Sequence, residues 1–227
     1  MPAPLDLHVV DDPTAVVAEL IAEQAGRDGS IVLTGGASVG EAYERAAELA
    51  PDWSRVTLWW GDERCVPPDD ERSNYRLAKE TLLDRLAVPP RAVHRMRGEL
   101  APAVAAAEYD AALEGVDLQL LLLGLGSDGH MASLFPGSRQ LEVEDRRVAW
   151  GPAGLDPFVD RVTLTLPAIL SAQRIVFLVA GAGKAEAVAL AFGGEISREA
   201  PASLARLAPI SVEVFLDQPA ASKLETT

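Results

Sequence analysis

Residues 118–123 read LQLLLL, and residues 175–180 read IVFLVA. Neither run alternates with polar residues, so neither has a face to give to water. Such runs are expected of central strands covered on both sides, as in a parallel sheet flanked by helices. This demand for cover on two faces restricts the chain more than any other feature.

The rest of the sequence supplies that cover. LDLHVV (5–10), IVLTGG (31–36), VTLWWGDE (56–63), LQLLLLGLG (118–126), RVTLTL (161–166), RIVFLVAG (174–181) and ISVEVFLD (210–217) read as strands. Helical patterns fill 12–29 (ending at Gly29), 38–50, 73–86 (stopped by Pro89 and Pro90), 102–113 and 183–192. Strand and helix in alternation predict an α/β fold, a mostly parallel sheet with helices on both faces. Residues 137–160 are the least regular and read as a flap or small subdomain. No repeat or linker divides the chain, so 1–227 is expected to be a single domain.

Composition narrows the function. A net charge of −14 disfavours nucleic acid and membrane surfaces as partners, because both reward basic proteins. A local group of cations can still hold a small anion. Cys65 is the one cysteine, which fits a reducing, cytoplasmic setting. The first residues have neither the basic start nor the apolar run of a signal peptide. No HExxH or CxxC occurs, so no metal is called for. The glycine turns match neither the Walker pattern nor GxGxxG, so a nucleotide is not indicated, and no cofactor is expected. The oligomeric state, monomer or dimer, stays open.

In sheets of this kind, ligands bind beyond the carboxyl ends of the strands. There LTGGASVGE (33–41) offers Gly35 and Gly36 before a helix, with Ser38 and Glu41 spaced as a capping box. Free N–H groups at such a helix start suit an anion. DERCVPPDDERSNY (62–75) carries Asp62, Glu63 and Arg64. At least one of the acids is expected to be a salt-bridge partner of the arginine. Arg64 can instead hold an anion or oxyanion. Ser73 and Asn74 read as a helix cap, with Asn74 within reach of the site. GLGSDGHMASLFPG (124–137) brings His130, suited to proton transfer, with Asp128 two residues before it as its orienter. His8 and His94, on strand segments without glycine loops, read as structural. Lys184 follows a strand and glycine turn at a helix start, where a cation is misplaced unless it faces an anion. Arg161 opens RVTLTL as a further cation or a solvated charge.

These stretches occur together, in order and over nearly the whole chain, and they resemble the 6-phosphogluconolactonase family. DERCVP followed by SNY, and DGHxASLFPG, are its most specific motifs here. The resemblance implies a Rossmann-like fold similar to glucosamine-6-phosphate deaminases. It also implies hydrolysis of 6-phospho-D-glucono-1,5-lactone in the oxidative pentose phosphate route. His130 would then be the base, Arg64 and Lys184 would touch the substrate, and the Gly35–Ser38 loop would take the phosphate. The family's loop often reads GGSTP; here Ala37 and Val39 replace two of its residues. Ser127 and Met131 likewise depart from GPDGHTAS. A deaminase is disfavoured, because its catalytic glutamate is matched here by Phe135. A non-catalytic sugar-phosphate sensor is the other alternative; such proteins usually carry a helix-turn-helix segment in front.

Overall fold

The computed structural model describes residues 4–50 and 52–224. Seven parallel strands form the central sheet in the order β1-β10-β9-β6-β2-β3-β5. They span β1 Leu5–Val9, β2 Gly29–Leu33, β3 Val56–Trp60, β5 Ala92–Val93, β6 Leu120–Leu123, β9 Ile175–Val179 and β10 Val212–Leu216. Three short strands, β4 Asp62–Arg64, β7 Val148–Gly151 and β8 Arg161–Leu164, form a separate antiparallel sheet in the order β4-β8-β7. Helices α1 Pro13–Ala25, α2 Ala37–Leu49, α3 Asn74–Thr81, α4 Pro102–Ala112, α5 Leu166–Leu170, α6 Ala185–Val188 and α7 Gln218–Ala221 complete the fold.

Two apolar cores lie on the two faces of the large sheet. Ile31 and Leu33 pack with Val17, Ile21 and Tyr43 of α1 and α2, while Val32 between them joins Tyr109, Phe177 and Ile169 on the other side. The period-2 geometry of a strand sends neighbours to opposite faces. When both faces are dry, both sets must be apolar, which is why the leucine run shows no alternation.

Several boundaries differ from the sequence reading. The first helix ends at Ala25, and Gly29 instead opens β2 with φ +145; a side chain there would collide with Gln119. VTLWWGDE is two strands, not one. Beyond Gly61 the chain leaves the large sheet and pairs Asp62–Arg64 with β8. RVTLTL likewise belongs to the small sheet, and Thr165 caps α5. The third helix stops at Thr81 and is followed by a 3-10 turn, before the prolines act. The segment 183–192 is a 3-10 turn, a four-residue α-helix and a π-turn in succession. Residues 137–160 are no independent subdomain, because they supply β7 to the small sheet. His94 lies one residue beyond β5 and stacks on Trp59, and His8 stacks on Phe215.

The strand order places the site. From the β6–β2 junction the connections run outward in opposite directions, β2 to β3 to β5 and β6 to β9 to β10. A crevice forms where the order reverses. The four loops that follow β9, β6, β2 and β3 come from four neighbouring strands and meet there.

Candidate active site

A cleft of about 260 Å³ opens at that reversal. Gly35 and Gly36 line it after β2, Asp62 and Arg64 after β3, His130 after β6 and Lys184 after β9, with Asn74 and Arg161 beside them. Ser38 lies in the first turn of α2, outside the lining. Asp128 reaches the cleft only through His130.

The Asp128 carboxylate takes two hydrogen bonds, from His130 N–H at 3.1 Å and from His130 Nδ1 at 2.5 Å. A carboxylate only accepts, so Nδ1 carries the proton and neutral His130 keeps a lone pair on Nε2. Burial raises the Asp128 carboxyl, but the hydrogen bonds it accepts from His130 outweigh that and hold it below the usual range. The loop is built to fit the ring. A side chain at Gly126 would start 2.0 Å from His130 Nδ1, and Gly129 turns at φ +80. Phe135 packs its ring 4.5 Å from the imidazole.

Arg64 and Arg161 stand opposite each other across the β4–β8 ladder. Arg64 donates to the Arg72 carbonyl, and Arg161 Nη2 donates to the Pro157 carbonyl at 2.9 Å. Arg64 Nε and Arg161 Nε and Nη1 are buried without a partner among the described residues. Arg161 is 3% exposed, so it is not a solvated charge. Its burial, and then the facing charge of Arg64, push its pKa down. Lys184 donates to the Leu125 carbonyl at 2.7 Å, and burial lowers its pKa as well. Desolvated cations with spare donors are a stored demand for an anion.

The acids beside Arg64 do other work than expected. No ion pair joins Arg64 to Asp62 or Glu63 among the described residues. Asp62 accepts from Ser133 Oγ at 2.6 Å and from Asn74 Nδ2 at 3.2 Å. Glu63 accepts from the N–H groups of Arg64, Asn74 and Tyr75 and from Ser73 Oγ, which ties β4 to the start of α3. Ser73 caps α3, and Asn74 is its first residue. The Asn74 amide lies where a side chain on Gly35 would be, 2.1 Å from its Oδ1, so only glycine fits.

The predicted capping box is absent. Gly36, at φ +126, is the N-cap of α2, with no side-chain cap bond. The helix starts one residue before Ser38, so Ser38 cannot fold back onto the N3 amide. The first-turn N–H groups thereby stay free of a side-chain cap. Cys65 is half-buried, and burial pushes its thiol up to about 11. Sequence reasoning passed over Thr34, Ser133, Leu155 and Asp156, which also line the cleft. Ser133 stood in the DGHxAS motif as a visible signal. Leu155 and Asp156 come from the irregular segment, where nothing local points inward.

Comparisons with known proteins agree with this architecture. A family model described as "Glucosamine-6-phosphate isomerases/6-phosphogluconolactonase" matches residues 6–214. A 6-phosphogluconolactonase of Streptomyces coelicolor is 38% identical, over 92% of this chain and 87% of its own. The structure of 6-phosphogluconolactonase from Trypanosoma brucei superposes with a TM-score of 0.85 at 27% identity, covering 99% of this chain and all of that one. A monomeric glucosamine-6-phosphate deaminase shares the fold at a TM-score of 0.85 and 21% identity, over 96% of this chain and all of its own. The chain therefore belongs to the glucosamine-6-phosphate isomerase/6-phosphogluconolactonase family, and within it to the 6-phosphogluconolactonase enzymes.

Proposed function

We propose that this enzyme hydrolyses 6-phospho-D-glucono-1,5-lactone to 6-phosphogluconate by water attack assisted by His130. The observation that carries the reading is the Asp128–His130 pair, which leaves Nε2 free to accept a proton in a cleft of unpaired cations. Nε2 takes a proton from water as the oxygen attacks C1. Charge gathers on the carbonyl oxygen, where Arg64 supplies a donor. One well-aimed donor of this kind lowers the barrier by about 3–4 kcal/mol. The C1–ring oxygen bond then breaks, and the imidazolium returns its proton to the departing alkoxide. The phosphate is held by Arg161, Lys184 and the free N–H groups around Gly35, Gly36 and Ser38 at the start of α2. Asp62 and Asn74 face the sugar hydroxyls.

Phe135 supports lactone hydrolysis over deamination, since a phenyl ring beside the imidazole can neither give nor take a proton. A coupled assay on freshly generated lactone tests the proposal. His130→Ala is expected to lose at least about 10²-fold in kcat and to keep its fold by circular dichroism. Near-normal turnover in that variant removes His130 from the mechanism.

A further inference from the structure

The segment PASLAR (201–206) takes no part in the chemistry above and does not line the cleft. It is nonetheless packed tightly: Ala200, Ala202, Ser203 and Ala205 are completely buried. Ser203 Oγ donates to the Ser197 carbonyl at 3.0 Å and accepts from Ser197 N–H at 2.8 Å. Ala200 N–H donates to the same Ser197 carbonyl, and Ser203 N–H donates to the Ala200 carbonyl. Two bonds through the Ser203 hydroxyl and two between backbone groups thus close residues 197–203 into a loop.

That loop bears directly on the peptide that joins Gly129 to His130. Ala202 N–H donates to the Gly129 carbonyl at 2.8 Å. Ala200 sits 3.2 Å from where a Gly129 side chain would begin. The other end of the same peptide, His130 N–H, is held by Asp128. Among the described residues, the Ala202 bond is the one hydrogen bond that reaches this peptide from outside the loop 124–130.

We infer that Ser203 is a positioning residue for the hydrolysis: by closing 197–203 it fixes Ala202 N–H on the Gly129 carbonyl and so sets the His130 ring against the lactone. The inference rests on His130 being the base. A displacement of about 1 Å at a reacting group can cost about 10²-fold in rate. The phosphate contacts lie on other loops, so substrate binding is spared.

The test uses Ser203→Ala, Ser203→Cys, His130→Ala and the Ser203→Ala/His130→Ala double variant, each assayed well below its own measured Tm. Ser203→Ala is expected to lower kcat about tenfold or more with KM within about twofold of the parent. Ser203→Cys, of similar size and with a weak donor, recovers part of the loss. The double variant is no slower than His130→Ala alone, because Ser203 acts only through the ring. Full kcat in Ser203→Ala beside an inactive His130→Ala overturns the positioning role and leaves the base assignment standing. An additional loss in the double variant, or a fall confined to KM, overturns it too. Near-normal turnover in His130→Ala overturns both.

Discussion

At the residue scale the site runs on burial. A solvated lysine or arginine is satisfied by water and gains little from an anion. Lys184, Arg64 and Arg161 have been partly or wholly removed from water, and three of the guanidinium nitrogens are buried with no partner among the described residues. The pKa of Lys184 is lowered by burial, while the charge of Asp128 pulls the other way. Its cationic form is lost as pH rises through that lowered value. Inhibition by 6-phosphogluconate is therefore expected to weaken at a pH where an exposed lysine, titrating near ~10.4, is still charged. Measuring the inhibition constant across alkaline pH checks this, with Lys184→Arg expected to stay flat. A wild-type profile flat up to the ordinary lysine range would separate Lys184 from the phosphate.

At the element scale, two helices hold the strand ends from which the site loops leave. β2 quits the ladder after Leu33, and both backbone groups of Thr34 are met by Tyr43 Oη of α2, each at 2.9 Å. Trp60, at the end of β3, is served in the same way by Tyr109 Oη of α4, at 2.7 and 3.1 Å. A buried backbone group without a partner is costly, so each hydroxyl allows its strand to end where the site needs a loop. Tyr43→Phe leaves the Thr34 pair unsatisfied. It is expected to cost about 1–3 kcal/mol of stability, read from urea unfolding. A loss within error would mean that water or a shifted carbonyl replaces the hydroxyl. Glu63 plays the same part at α3, where its carboxylate gathers four donors and joins the strand of Arg64 to the helix of Asn74. Element boundaries of this kind were poorly legible beforehand. Gly61 looked like the interior of one strand, and Ser38 looked like a cap. Which hydroxyl or carboxylate satisfies a chain end depends on partners 9 to 49 residues away.

At the scale of the whole molecule, the cations of the cleft sit inside a chain of net charge −14, so the attraction for an anion is local. Among the described residues, no helix is long and apolar enough to cross a membrane. The two cores share the same strands, and the small sheet packs its Val148, Val162 and Leu164 into one of them. One cooperative unit is therefore expected. Urea unfolding followed by tryptophan fluorescence, from Trp53, Trp59, Trp60 and Trp150, should coincide with unfolding followed by circular dichroism. Two separated transitions would divide the chain into independently stable parts.

The sequence alone determined the α/β class, the succession of the main strands along the chain and eight of the eighteen residues that line the cleft. Dry strands must be apolar on both sides, and glycine turns, an aspartate–histidine pair and isolated cations are local in the chain. Tertiary structure decided the rest: that DER and RVTL leave the large sheet to face two arginines, and that Glu63 caps a helix instead of pairing with Arg64. It also decided that α2 begins uncapped and that Ala202 N–H reaches the Gly129 carbonyl of the histidine loop. Each of these depends on which distant group reaches a buried donor or acceptor, and hydrogen-bond satisfaction is a property of the packed chain rather than of any stretch of it.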